Sequence, residues 1–137
     1  MTGILRALLF LLLPTLLLAA CGSAPSAMRP RDQALEDYGV AIRWSEFGDA
    51  LEFVDPALRE KQPLSDLERE RFKQLQVTGY DVKSKKVGAD GDIEQRVEIR
   101  LISKNTQVER SIIDHQRWHW DGKRYWLSSG LPDFTAQ

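Results

Sequence analysis

Ile93-Glu94-Gln95-Arg96-Val97-Glu98-Ile99-Arg100-Leu101 sets apolar or neutral side chains at odd positions and charged ones at even positions. A period of two places these sets on opposite faces of a strand, one buried and one wet. Asp90-Gly91 just before this run, and Asp121-Gly122 further on, are the dipeptides that close two-residue hairpins. The second half therefore reads as four antiparallel strands near 75–88, 93–103, 107–120 and 123–129. A turn at Asp90-Gly91 pairs positions whose numbers sum to 181, setting Lys83 against Glu98, Asp81 against Arg100, Val82 against Ile99 and Tyr80 against Leu101. Charges match on one face and apolar groups on the other, as a consistent register requires. A turn at Lys104-Asn105 sets Leu101 against Val108 and Arg100 against Glu109. One at Asp121-Gly122 sets Trp118 against Tyr125 and Arg117 against Trp126. Leu75 and Val77 are out of phase with Tyr80 and Val82, which calls for a bulge at Gly79.

N-terminal to these strands the period is helical. Leu35, Tyr38 and Ile42 share one face over 31–44, and Phe47, Ala50, Leu51 and Val54 share one over 46–54, which Pro56 closes. Ser65-Asp66-Leu67-Glu68 is a capping box opening a helix over 66–74. The expected class is α+β, with N-terminal helices packed on a curved four-stranded antiparallel meander.

The first 20 residues differ in kind. Ala7 to Ala20 reads ALLFLLLPTLLLAA, and Arg6 is the only charge before it. A membrane-spanning helix needs about 20 apolar residues; this run suits the core of a secretory leader. Leu18-Ala19-Ala20-Cys21 then resembles the lipobox of bacterial lipoproteins. The resemblance implies that a diacylglycerol joins the Cys21 thiol, that residues 1–20 are removed as a signal peptide, and that the new amine is acylated, usually with palmitate. Two or three chains hold a protein firmly where one does not. Residues 21–30 form the lipidated N-terminus and a small, Pro-containing tether, and 31–137 a single domain. Gly22 and Ser23, in place of an aspartate after the cysteine, imply the outer membrane, with the domain facing the periplasm.

Cys21 is the only cysteine of the 137 residues, so the domain has neither a disulfide nor a Cys nucleophile. Without Arg6 the formal charge is 18 basic minus 20 acidic residues, or −2, which gives no reason to expect nucleic acid. His115 and His119 share a strand face about 13 Å apart. One metal cannot bridge them, so neither metal nor cofactor is expected, and both histidines read as solvated.

Helices followed by a meander with an aromatic last hairpin resemble the nuclear-transport-factor-two-like α+β cone. The resemblance rests on Trp44-Ser45-Glu46-Phe47-Gly48-Asp49-Ala50-Leu51, Phe53-Val54-Asp55-Pro56 and the run from Trp118 to Trp126. It implies a pocket between helices and sheet, in a fold that serves enzymes, binders and scaffolds alike. The inward face of the third strand would carry Val108, Arg110, Ile112, Asp114, Gln116, Trp118 and Trp120. Tyr80, Arg110, Asp114, Gln116 and Tyr125 are the pocket candidates, with Arg110 and Asp114 expected to pair or to sit at a wet rim. Trp118 and Trp120 are expected in the core. Arg117 and Trp126 are the partner-surface candidates, as an outward cation–π pair. Lys83, Lys85 and Lys86 read as a solvated sheet face. Two functions compete. One is a non-catalytic accessory or binding lipoprotein, taking a protein partner or a small apolar ligand. The other is an isomerase- or dehydratase-type enzyme using Asp114. An enzyme needs the acid beside an open cavity; a scaffold fills that cavity with side chains.

Overall fold

A computed structural model of the chain describes residues 28–134. The leader, Cys21 and the tether up to residue 27 lie outside the described residues.

The first helix, α1, spans Pro30–Arg43 and buries Leu35, Tyr38, Ala41 and Ile42. Proline suits the first turn, where its missing amide has no partner to lose. The helix ends through Ser45 at φ 62°, in the left-handed position that usually takes glycine. Ser45 Oγ accepts the Val77 amide at 2.9 Å, tying the helix end to the sheet. The second helix, α2, is only Phe47–Leu51. Pro56 does not close this segment. It opens a further helix, α3 (Pro56–Lys61), for which Asp55 is the N-cap, its carboxylate accepting the Ala57 amide at 2.8 Å. Asp-Pro is as good a helix start as a stop. The fourth helix, α4, spans Asp66–Lys73 with both arms of the Ser65–Glu68 capping box formed.

Four strands follow: β1 (Leu75–Val87), β2 (Ile93–Ser103), β3 (Glu109–Trp120) and β4 (Tyr125–Leu127). They form one open antiparallel sheet in the order β1-β2-β3-β4. The architecture is α+β, with the helices against one face of a meander. Ile93, Val97, Ile99 and Leu101 of β2 are fully buried on that face, with Trp118, Leu127, Tyr38 and Ile42. Tyr38 meets Trp118 edge-on at 5.3 Å and Phe53 at 5.9 Å. A second aromatic cluster, Phe47, Phe72 and Phe134, closes the other end.

Each hairpin differs in register from the expectation; the difference lies in the turn for β2–β3 and β3–β4, and in the turn and a strand bulge for β1–β2. The β1–β2 loop is a turn over Gly88–Gly91 with Gly91 at φ 89°, closed by Gly88 donating to the Asp92 carbonyl at 2.8 Å. That is a three-residue loop with a glycine bulge. It pairs Val87 with Ile93, so the sum is 180 at the tip. Bulges between Val82 and Ser84 and between Val77 and Gly79 lower it further, so that Tyr80 faces Ile99, Val82 faces Val97 and Val77 faces Leu101. The bulge near Gly79 was legible in the sequence; the other was not. The Lys83–Glu98 and Asp81–Arg100 ion pairs form all the same, as offset neighbours at 2.7 and 3.1 Å. Val82 lies 51% exposed on this edge strand.

A four-residue loop, Lys104–Gln107, with Gln107 at φ 56°, moves β2–β3 by two positions: Leu101 faces Arg110 and Arg100 faces Ser111. The last turn centres on Gly122-Lys123, with Gly122 at φ 97°. Glycine at the first central position marks a II′ turn. Trp118 therefore faces Leu127, and Trp126 faces His119 rather than Arg117. The two-residue slips of β2–β3 and β3–β4 keep those side chains on their expected faces. The one-residue slip at the β1–β2 tip instead turns Lys85 and Val87 to the face of Gln95 and Ile93 and puts Ser84 and Lys86 on the other.

Candidate functional site

The inner face gathers a polar cluster inside the core. Asp114 and Gln116 come from β3, Gln95 from β2, Tyr80 from β1 and Tyr38 from α1. Gln116 is the hub. Its Nε2 donates to Asp114 Oδ2 at 2.7 Å and to Tyr80 Oη at 3.1 Å. Its Oε1 accepts from Gln95 Nε2 at 3.1 Å and Trp118 Nε1 at 3.3 Å. Two donors and two acceptor positions are all a primary amide has, so nothing is left over for a ligand.

Asp114 is 7% exposed and Gln116 1%. The wet rim expected for them is not there. The Arg110 guanidinium reaches the Phe134 carbonyl at the far end of β3, beside exposed Val108. Burial pushes the Asp114 carboxyl up to about 6, partly opposed by the Gln116 hydrogen bond and the nearby His115. Burial and the Asp114 charge together push the Tyr80 phenol to about 12, and the Gln116 bond works against them. Tyr38 Oη is buried without a hydrogen-bond partner, and desolvation with the Asp114 charge holds its phenol well above the usual range.

Of the pocket candidates, Tyr80, Asp114 and Gln116 meet, whereas Arg110 and Tyr125 lie at opposite ends of the domain. Tyr125 donates its hydroxyl to the Gly91 carbonyl at 3.2 Å and packs against Trp120 with ring centres 5.0 Å apart and planes inclined by 48°. Trp120 is 41% exposed, not core, while Trp118 is buried. The Arg117–Trp126 pair is replaced: Arg124 covers the Trp126 ring at 4.0 Å, and Trp126 Nε1 donates to Asp121 at 2.7 Å. His119 is not simply solvated, since its Nε2 lies 3.4 Å from Asp55. Trp44, 75% exposed at the end of α1 beside exposed Val40, is a partner-surface candidate that the helical pattern did not signal.

The outer face holds a second feature. Ser84, Lys86, Glu94, Arg96, His115 and Arg117 surround a shallow cleft of about 470 Å³. The second β1 bulge brings Ser84 opposite Arg96 and Lys86 opposite Glu94. The three lysines of 83–86 thus part company: Lys83 bonds Glu98, Lys85 reaches Asp32 of α1 at 3.3 Å, and Lys86 lines this cleft. Among the described residues no helix is long and apolar enough to cross a membrane. No family model matches the chain, and no curated protein or solved structure matches it either.

Proposed function

We propose that the chain is an outer-membrane lipoprotein, anchored through Cys21, whose domain faces the periplasm as a non-catalytic binding or accessory module. The observation that carries the anchor is Leu18-Ala19-Ala20-Cys21 at the end of a 14-residue apolar run. A helical layer on one face of a meander supports reading the domain as the nuclear-transport-factor-two-like cone. The interior supports the non-catalytic reading. Tyr38, Trp118 and Phe53 fill the space a pocket would occupy, and Gln116 is saturated by its neighbours. A protein partner or a small apolar ligand would be met on the surface. Metabolic labelling with a palmitate analogue tests the anchor: wild type takes the label and Cys21→Ser does not. Equal labelling of the two would refute it.

One observation favours an enzyme instead. A buried carboxyl at about 6 is what an acid–base group of an isomerase or dehydratase requires. Access separates the readings. A water-soluble carbodiimide at pH 6 leaves Asp114 unmodified in a closed core, and modifies it in the native protein if a pocket opens to it.

A further inference from the structure

The tether enters the domain at one end of the sheet. Arg29, Pro30, Arg31, Asp90, Trp120 and Tyr125 line a cleft of about 340 Å³ there, so the start of α1 and the tip of the β1–β2 hairpin meet at the exposed Trp120. The β3–β4 turn follows directly on Trp120. The basic outer cleft adjoins the same end: Lys86, Glu94 and Arg117 lie one residue from the Val87–Ile93–Trp118 row, next to the tip. Arg96 lies three residues from Ile93, about 10 Å, near one Debye length at 0.1 M salt.

Charge is distributed unevenly between this end and the rest. Around Asp32 three cations share one carboxylate, Arg29 at 3.1 Å, Arg31 at 3.3 Å and Lys85 at 3.3 Å, a surplus of two. On the outer face Lys86, Arg96 and Arg117 meet only Glu94, again a surplus of two. None of these three cations forms an ion pair among the described residues. In the two loops Asp90, Asp92 and Asp121 exceed Lys123 and Arg124 by one. Asp55, whose amide bonds the Leu127 carbonyl in the Trp118 row and whose carboxylate lies 3.4 Å from His119, takes away one more. The tether end is therefore at +2 in a chain that is −2 after residue 20, which leaves −4 elsewhere. Further along the outer face the cations are matched, Arg100 by Asp81 and Lys83 by Glu98.

We infer that this end docks on an anionic phospholipid surface, with Trp120 at the headgroup level and Arg29, Arg31, Lys86, Arg96 and Arg117 toward the phosphates. The inference rests on the anchor reading. Six residues lie between Cys21 and Met28, and the seven steps from one to the other span at most about 25 Å whatever the conformation. The lipid thus keeps this end of the domain beside the bilayer. A tether of that length gives an effective concentration on the order of millimolar, so a weak contact suffices. Each basic side chain near an anionic surface favours contact, and an aromatic ring suits the interface. The negative remainder of the domain is repelled, which fixes the orientation.

The test uses the full-length lipidated protein in vesicles of phosphatidylcholine alone, or with roughly one-third phosphatidylglycerol to supply the surface charge. Hydrogen exchange is read at the amides of 88–92 and 121–124. Docking slows their exchange about tenfold in the anionic vesicles, and about 0.5 M salt abolishes the effect. The double variant Arg96→Glu/Arg117→Glu, changed at exposed positions, still floats with the vesicles but loses the protection. Equal exchange in both vesicle types for a protein that floats overturns the docking while leaving the anchor intact, and assigns the basic strip to a protein partner. Protection that survives salt or the double variant also overturns it. A wild-type protein that floats with neither vesicle overturns the anchor reading itself.

Discussion

The two faces of the sheet treat polar groups in opposite ways. Inside, Gln95, Asp114, Gln116, Tyr80 and Trp118 bond to one another in a closed set. Outside, the cations around Glu94 lie open beside a cleft. A buried polar group left without a partner keeps the full cost of desolvation, which these five avoid and which, among the described residues, the Tyr38 hydroxyl does not. Exposed charges can stay unpaired because water serves them. Polarity alone therefore does not mark a site in this molecule; the open outer strip is the part with capacity to spare.

The largest expected break in this comparison is Ile99→Asp. Ile99 is fully buried between the β1 and β3 neighbours, so the substitution costs several kcal/mol, on the order of 4, or prevents folding, as read by denaturant melts.

Asp114→Asn comes next and carries a sign. The Asp114 pKa is raised in the folded protein, from 3.8 to about 6. The protonated acid is favoured by folding, so the contribution of Asp114 to stability is fully present below about pH 4 and is lost as the pH rises through 6. Asparagine keeps an acceptor for Gln116 without the charge. It stabilises by about 1–3 kcal/mol at pH 7, the upper value being two pKa units at 1.36 kcal/mol each, and the gain disappears near pH 4. Melts across pH 4–8 check this; a pH-independent loss would contradict it.

Tyr38→Phe removes a hydroxyl that has no partner. The change is neutral or stabilising by up to about 1 kcal/mol, where loss of a bonded buried hydroxyl would destabilise. Glu98→Lys on the outer face is the smallest. It breaks the Lys83 and Ser111 contacts, but exposed pairs contribute little, and the melting midpoint moves least of the four. Equal effects for Glu98→Lys and Ile99→Asp would mean the faces are misassigned.

The strand period, the capping box and the buried faces of α1 and β2 were legible because each is a local pattern. Registers were not, since they depend on where a turn centres. Asp121-Gly122 and Gly122-Lys123 differ by one residue along the chain and by two in the pairing. The polar cluster was legible in part, since Tyr80, Asp114 and Gln116 were among the candidates and do meet; Gln95 and the dryness of the cluster were not. Arg110, Asp114 and Gln116 in alternate positions suggested a wet opening. The observed β2–β3 register puts Gln95 opposite Gln116, which lets the polar groups satisfy one another. Trp120 reads as core by its face, yet it stands at the strand end, beside only the first residues of α1, and is 41% exposed. The Val82–Ser84 bulge, which aligns the basic strip, has no glycine to announce it.

Intact mass measurement of the protein extracted from membranes tests the central claim most directly. The account predicts a chain beginning at Cys21, without residues 1–20, heavier by a diacylglyceryl group and an amide-linked acyl chain. A mass matching the full 137 residues, or a chain cleaved elsewhere and bearing no lipid, would contradict it.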